Sequence, residues 1–176
     1  MPALIVEDGT AKTDASTYGL VATVTTELDL LGDPATWVAL TSEAQEDACR
    51  SVTLWLDRKY RGLWKGDRKT RDQGLAWPRV NGFDEDNFFI SSTELPKELV
   101  TAHAVMCGKV ADGESLDVDQ TVQSIKSEKV QAGPVMKDVE YTGSKRSGKK
   151  YPTIDEILAP IITNSYISAL GPAFRG

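Results

Sequence analysis

The feature that most constrains the fold is a long irregular segment, residues 62–93, that separates two helical patterns. Five helix- and strand-interrupting residues punctuate it: Gly62, Gly66, Gly74, Pro78 and Gly82. Connections of this length are uncommon inside compact domains and are generally either functional or disordered. Trp64 and Trp77 argue against disorder, because indole side chains need an apolar surface to cover. We therefore expect an ordered, tryptophan-rich connection.

The most strongly patterned helix precedes this segment, over residues 42–61. Ser42 and Gln45 have capping-box spacing, and apolar side chains recur on one face at three- and four-residue steps. Arg58, Lys59 and Arg61 fall at its carboxyl end, where positive charge interacts favourably with the helix dipole. Part of the basic cluster that follows thus has a purely local explanation.

Two further helices are predicted in the body of the chain. The first is capped by Ser16 and stopped by Gly32, and the second has Pro96 in its first turn and ends before Gly113. Residues 122–130 and 135–141 alternate loosely and are separated by a glycine-proline turn, which predicts a β-hairpin. A basic linker over 142–150 leads to a terminal helix that Pro160 should kink or end, and the last residues look extended.

These elements define a mainly α fold: a small helical bundle with a β-hairpin and an extended C-terminal arm. We place the helical body in residues 1–115 and the hairpin, basic linker and terminal helix in 116–176. The terminal helix has an apolar face that can dock either on its own domain or on a neighbour. Since no run is long enough to span a bilayer and no signal peptide opens the chain, we expect an intracellular protein without membrane contact.

Charge is segregated along the chain although the net value is only −6. Residues 1–48 carry nine acids against Lys12 alone, whereas residues 57–72 carry seven bases against three acids. Residues 84–119 are again acidic, with nine acids against Lys97 and Lys109. Opposed patches of this kind suit docking between complementary surfaces, and they are equally compatible with ordinary solvated faces.

No catalytic constellation is present. The chain lacks a phosphate-binding glycine loop and a nucleophile elbow, and His103 is its only histidine. Cys49 and Cys107 are interpreted as buried thiols, His103 as a packed imidazole, and Asp84-Glu85-Asp86 as a solvated turn. We therefore expect no enzyme activity, no metal and no cofactor.

Single-stranded DNA binding is one hypothesis that the residues support, because aromatic side chains interleaved with cations can stack bases and follow phosphates. The candidates are Trp64, Lys65, Arg68, Arg71 and Trp77. The acidic net charge argues against it, since nucleic-acid binders generally present a basic face.

Several short segments, in collinear order over nearly the whole chain, resemble a family of tailed-phage structural proteins. They are residues 3–10, 15–18, 75–79, 128–130, 139–141 and 158–160. The most specific is Leu75-Ala76-Trp77-Pro78-Arg79. Family members resemble head-to-tail connectors, or adaptors, and some descriptions call them primosomal DnaT-like single-strand-binding proteins instead.

The resemblance implies a structural connector in the neck of a bacteriophage virion, assembled in the host cytoplasm. It implies a ring, usually of twelve copies, that binds the portal and a further neck or tail-completion protein and lets packaged DNA pass without recognising it. DnaT-like single-stranded-DNA binding, as a replication accessory, is the alternative. The candidate interface residues are Trp64, Lys65, Arg68, Arg71, Trp77, Arg79, Lys145, Arg146, Ile157, Ile161 and Phe174.

Overall fold

A computed structural model describes residues 3–32, 34–116, 125–131, 136–141 and 151–163. The chain forms two compact units, the first made of Met1–Leu116 with Pro152–Gly176 and the second of Asp117–Tyr151. In chain order the α-helices are α1 (Val21–Leu31), α2 (Ala35–Val38), α3 (Ser42–Lys59), α4 (Lys97–Ala111) and α5 (Pro152–Leu158). The strands are β1 (Asp67–Arg68), β2 (Arg79–Val80), β3 (Ile125–Gln131) and β4 (Met136–Tyr141). The predicted mainly α fold with a hairpin is confirmed.

Helix α4 is the centre of the first unit, because α1, α2, α3 and α5 all pack against it. Its apolar positions recur at helical spacing, and Leu99, Ala102 and Met106 are fully buried. Val52 and Leu56 of α3 are also fully buried. Each large aliphatic side chain removed from water in this way contributes roughly 1.5 to 3 kcal/mol, so this interface between helices holds the body together.

The predicted helix ends are right at one terminus and wrong at two others. Gly32 ends α1 in the left-handed conformation, with φ of 80°, as expected of a C-terminal glycine. Ser16 does not cap α1, which begins after Leu20; its hydroxyl instead accepts a hydrogen bond from the Ile5 amide at 3.0 Å. The cap of α3 is Thr41, whose hydroxyl accepts from the Ala44 amide, so the pattern was displaced by one residue from Ser42.

The amino-terminal loop is organised by one buried carboxylate. Glu7 accepts hydrogen bonds from the amides of Gly9, Ala11 and Lys12, each at 2.9 Å. Gly9 has φ of 94°, and a Cβ there would lie 2.1 Å from the carbonyl oxygen of Thr93. Only glycine fits this position, because a side chain would collide with backbone and strain the left-handed conformation. The resembling segment over residues 3–10 therefore has a structural role.

The terminal helix lies in the first unit. Ile154 and Leu158 of α5 are fully buried, and α5 packs on α4. Pro160 sits in a 3₁₀ turn, Ala159–Ile161, directly after α5, which confirms that proline ends the helix. Docking on its own domain, one of the two possibilities left open by the sequence, is thus the observed arrangement.

The second unit contains the predicted hairpin, which is confirmed. Strands β3 and β4 pair antiparallel, from Ile125 opposite Tyr141 to Gln131 opposite Met136, with an irregularity between Ile125 and Ser127. The predicted basic linker with Lys145 and Arg146, and the extended arm with Phe174, lie outside the described residues.

Candidate functional site

The tryptophan-rich connection is anchored to α3 by a buried tyrosine-aspartate pair. The Tyr18 hydroxyl donates a hydrogen bond to the carboxylate of Asp57 and accepts one from the Trp77 amide at 3.3 Å. The second Asp57 oxygen accepts from the Ala76 amide at 2.9 Å. Burial raises the pKa of both Tyr18 and Asp57. The segments 15–18 and 75–79, far apart in sequence, therefore form one buried junction.

Trp64 and Trp77 belong to the core. Their exposed fractions are 6% and 0%, and the two rings meet edge to face with centroids 6.0 Å apart. Trp64 also contacts Tyr60, with centroids 5.4 Å apart. Both rings are covered by the chain itself, so neither offers a face to a base. The idea that these two indoles stack DNA bases is therefore wrong, because the same apolar area stabilises the fold.

Two lysines of the basic segment bind backbone carbonyls. The Lys65 ammonium donates to the carbonyl of Pro160 at 2.9 Å. The Lys69 ammonium donates to the carbonyls of Gly9 at 2.9 Å and Ser92 at 2.8 Å. Hydrogen bonds to charged donors are stronger than neutral ones, so these lysines fasten the connection to the neighbouring loops.

Two arginines have a similar role within the connection. Arg79 donates to the carbonyls of Lys65 at 2.9 Å and Gly66 at 2.6 Å. Arg68, an exposed residue, donates from Nη2 to the carbonyls of Gln73 and of Leu75, the second at 3.2 Å. The half-buried Arg79 guanidinium is committed to the backbone, whereas the other nitrogens of Arg68 have no hydrogen-bond partner within the described residues.

Three other arginines leave their charge free. Arg58, Arg61 and Arg71 are exposed, and within the described residues none of them has a side-chain hydrogen bond or ion pair. Arg71 lies three residues after Arg68 on the same turn of the connection. Arg61 follows the end of α3. These three exposed guanidiniums are therefore open to an anion in solution.

An exposed aromatic cluster, which the sequence reasoning missed, lies on the loop that follows β2. Phe83, Phe88 and Phe89 have exposed fractions of 51%, 71% and 58%. The rings of Phe83 and Phe89 meet edge to face with centroids 5.8 Å apart. We call this loop, residues 82–90, the phenylalanine loop. Three large exposed aromatic side chains on one short loop are unusual on a protein surface and make this loop a candidate binding region.

A turn built on Asp84 holds the phenylalanine loop in place. One Asp84 oxygen accepts from the amides of Asp86 at 2.9 Å and Phe88 at 2.8 Å. The Asp84 amide in turn donates to the Phe88 carbonyl at 2.9 Å. The predicted solvated turn is confirmed, and its effect is to present the phenylalanine rings in a fixed arrangement.

The phenylalanine loop continues the ladder formed by the basic segment. Strand β2 pairs antiparallel with β1, with Arg68 opposite Arg79, and leads directly into the loop. The loop closes through a hydrogen bond from the Ile90 amide to the Gly82 carbonyl at 3.0 Å. The exposed rings and the Arg68 strand are thus parts of one small antiparallel structure. The sequence signal was present as three phenylalanines within seven residues, but acidic neighbours obscured it.

A groove of about 360 Å³ opens beside the phenylalanine loop. Its apolar lining includes Phe89, Leu95 and Ile161. Its carboxylates are Asp84, Glu94 and Glu98, and Lys97 also lines it. A space of this size, with apolar walls and a few polar groups, is in the range of small-ligand sites, roughly 300 to 1,000 Å³.

One trio of metal-ligand side chains lies close together within the described residues. The ligand atoms of Cys49, His103 and Cys107 are all within 4.8 Å of one another, and all three residues are fully buried. His103 Nε2 lies 3.1 Å from the Cys49 carbonyl oxygen, and burial lowers its pKa to about 4. Thiolates and imidazole are donors that suit Zn²⁺, but a structural zinc site takes four ligands. The buried thiols and packed imidazole are confirmed, and the expectation of no metal stays a prediction.

The spacing of His103 and Cys107, one helical turn apart, was the missed signal for this trio.

Of the remaining candidate interface residues, Ile161 is buried and Ile157 is half-buried. No helix in the described part of the chain combines the length and apolarity needed to cross a bilayer.

A family model described as "Putative DnaT-like ssDNA binding protein" matches residues 2–176. No curated protein and no solved structure matches the chain. The matching family is not one of phage connectors, so the predicted connector identity is wrong, together with its virion, portal, neck and ring assignments. The expectation that DNA passes without recognition is wrong for the same reason, and the cellular location stays a prediction. The chain belongs to the DnaT-like ssDNA-binding family.

Proposed function

We propose that this protein binds single-stranded DNA through the phenylalanine loop and the exposed arginines of the basic segment. The observation that carries the proposal is the exposure of Phe83, Phe88 and Phe89 on a loop that directly follows β2, the strand paired with the Arg68 strand. The family assignment supports the same ligand. Trp64 and Trp77, the aromatic residues first considered, are buried in the core and have no part in the proposed contacts.

Stacking explains how such a loop recognises a single strand. Every base has a flat face, and stacking on an aromatic side chain is worth about 1 to 3 kcal/mol per base, with little dependence on sequence. In a duplex those faces are already covered by neighbouring bases. Phe88, the most exposed of the three rings, is therefore the main contact expected for an unpaired base.

The phosphates are assigned to the arginines. Arg61, Arg68 and Arg71 are exposed, and guanidinium groups bind phosphate oxygens in a planar, paired geometry. The acidic overall charge of −6 weakens long-range attraction to DNA, so binding through this patch should be modest and strongly dependent on salt. The proposal includes binding and no chemical step, in line with the expectation that the chain is not an enzyme.

The test is fluorescence anisotropy with a labelled single-stranded oligonucleotide, titrated with the purified full chain at several salt concentrations. We expect saturable binding that weakens as salt rises, and weaker binding to the matched duplex. Phe88→Ala should reduce affinity by about 5- to 150-fold, the equivalent of one lost stacking contact.

Leu30→Ala is the matched control, because Leu30 is an equally exposed apolar side chain on α1, 78% accessible and outside the proposed surface. It should leave affinity unchanged. Absence of binding to any single strand, or equal losses in Phe88→Ala and Leu30→Ala, would overturn the proposal.

A further inference from the structure

We propose that the groove beside the phenylalanine loop is a subsite for one base that is not stacked on its neighbours in the strand. The base carries amino or imino N–H donors, with guanine favoured and thymine disfavoured. This inference rests on the proposed function and adds base selectivity to it. Asp84, Glu94 and Glu98 line the groove beside the surface assigned to DNA, although carboxylates repel phosphates.

The shape and lining of the groove fit a base. Phe89 belongs both to the exposed aromatic cluster and to the groove, so a base stacked on this ring projects its edge into the groove. Leu95, which is half-buried, supplies further apolar contact. Lys97, exposed and without a side-chain partner within the described residues, lines the same groove and can hold the attached phosphate.

The carboxylates are available to hydrogen-bond the base edge. Within the described residues, Glu94 and Glu98 have no side-chain hydrogen bond and no ion pair. One Asp84 oxygen is occupied by the amides of Asp86 and Phe88. An ionised carboxylate only accepts hydrogen bonds, so it selects bases by the donors that they offer.

The four bases differ in those donors. Guanine presents adjacent N1–H and N2–H groups that match the two oxygens of one carboxylate, and cytosine and adenine each present an amino group that a carboxylate can accept from. Thymine offers only N3–H between two carbonyl oxygens, which a carboxylate repels. The acids that weaken phosphate binding thus become a source of specificity when a base edge, and not the backbone, faces them.

The experiment compares two unlabelled competitors of about twelve nucleotides, within the usual site sizes. One is a thymine-guanine repeat, and the other has hypoxanthine in place of guanine, which removes the N2 amino group and nothing else. Each displaces a labelled single strand from the full-length protein. We expect the guanine repeat to compete about fivefold or more better, since a paired contact to a base edge discriminates by that order.

Glu94→Gln and Glu98→Gln keep the side-chain shape and remove the charge, so at least one of them should abolish the preference. Glu43→Gln, at an exposed position in the first turn of α3, is the matched control and should retain it. Equal competition by the two repeats, or a preference that survives both groove variants, would overturn the subsite while single-strand binding stands. Failure of every oligonucleotide to bind would overturn the proposed function, and the subsite with it.

Discussion

The tryptophan-bearing part of the connection, residues 62–81, and the phenylalanine loop that follows it differ in burial. Trp64 and Trp77 are buried, and three of the four cations between them donate to backbone carbonyls, namely Lys65, Arg68 and Lys69. Phe83, Phe88 and Phe89 are exposed, although they follow β2 within a few residues. Aromatic and basic residues interleaved in sequence therefore do not by themselves indicate a binding surface. Whether they are available to a ligand depends on whether the fold covers the rings with apolar groups and pairs the cations with carbonyls.

The physical cause of the difference is the surroundings of each segment. The connection crosses α3, where Tyr18 and Asp57 fix its backbone and the indoles find apolar neighbours. The phenylalanine loop follows a short ladder, and the contacts described within it are the Asp84 turn, the backbone bond between Ile90 and Gly82, and the contact between the Phe83 and Phe89 rings. A loop of this size cannot bury three rings by itself, so they remain at the surface.

The largest expected effect is a difference in folding stability between alanine substitutions in the two regions. Trp77→Ala should destabilise the fold by about 3 to 5 kcal/mol, because it empties a fully buried aromatic site. Phe88→Ala should change stability by less than about 0.5 kcal/mol, as exposed substitutions generally do. Urea denaturation measures both. Similar losses of unfolding free energy in the two variants would contradict the different roles assigned to the two regions.

The next prediction concerns the buried His103 and the dependence of folding stability on pH. Burial lowers the pKa of His103 to about 4, whereas an unfolded histidine titrates near 6.5. The unfolded chain therefore takes up a proton first, so stability falls as pH drops from about 6.5 to 4, by roughly 3 kcal/mol in total. Urea midpoints across this range, for the natural protein and His103→Gln, give the measurement.

His103→Gln removes this titration, and its stability should vary less with pH over the same interval. The other acid-sensitive groups are common to both proteins and cancel in the difference. Parallel pH profiles would show that His103 does not stay neutral in the folded state.

A third prediction compares cations within the basic segment. Lys69→Met removes two hydrogen bonds to carbonyls and should cost about 1 to 2 kcal/mol, a value reduced because the side chain is partly exposed. Arg71→Met, which breaks no described contact, should be neutral within about 0.5 kcal/mol. Thermal or urea unfolding of both variants measures the difference. Equal stability of the two would contradict the structural role assigned to Lys69 and the absence of one for Arg71.

The smallest expected effect concerns the contribution of the exposed Arg71 to DNA binding. Arg71→Gln should weaken single-strand binding moderately, for all sequences alike, and lower the slope of log affinity against log salt by about 0.7 to 1. Arg50→Gln is a suitable control, because Arg50 is ion-paired with Glu46 and Asp47 on α3. An unchanged slope in Arg71→Gln would remove this residue from the phosphate contacts.

Sequence patterns were sufficient for the other helices and the hairpin, but not for the four-residue helix α2. Helix α3 was expected over 42–61 and spans Ser42–Lys59, because its apolar stripe matches the face that packs on α4. The caps at Ser16 and Ser42 were misplaced, since the pattern of hydroxyl residues does not reveal that Ser16 pairs with Ile5.

The candidate site was much less predictable. Burial of Trp77 depends on Tyr18 and Asp57, which lie far away in sequence, so no local pattern contains it. The exposed rings of the phenylalanine loop were hidden among acids that composition alone assigns to a solvated turn. In both cases the deciding information is a tertiary contact, present or missing.

The ammonium group of Lys69 reaches one carbonyl 60 positions upstream and another 23 positions downstream. It thereby ties the segment just after the phenylalanine loop, at Ser92, to β1 and to the amino-terminal loop. A protease that cuts once between Phe88 and Phe89 should consequently yield two fragments that co-elute under native conditions and part only in denaturant.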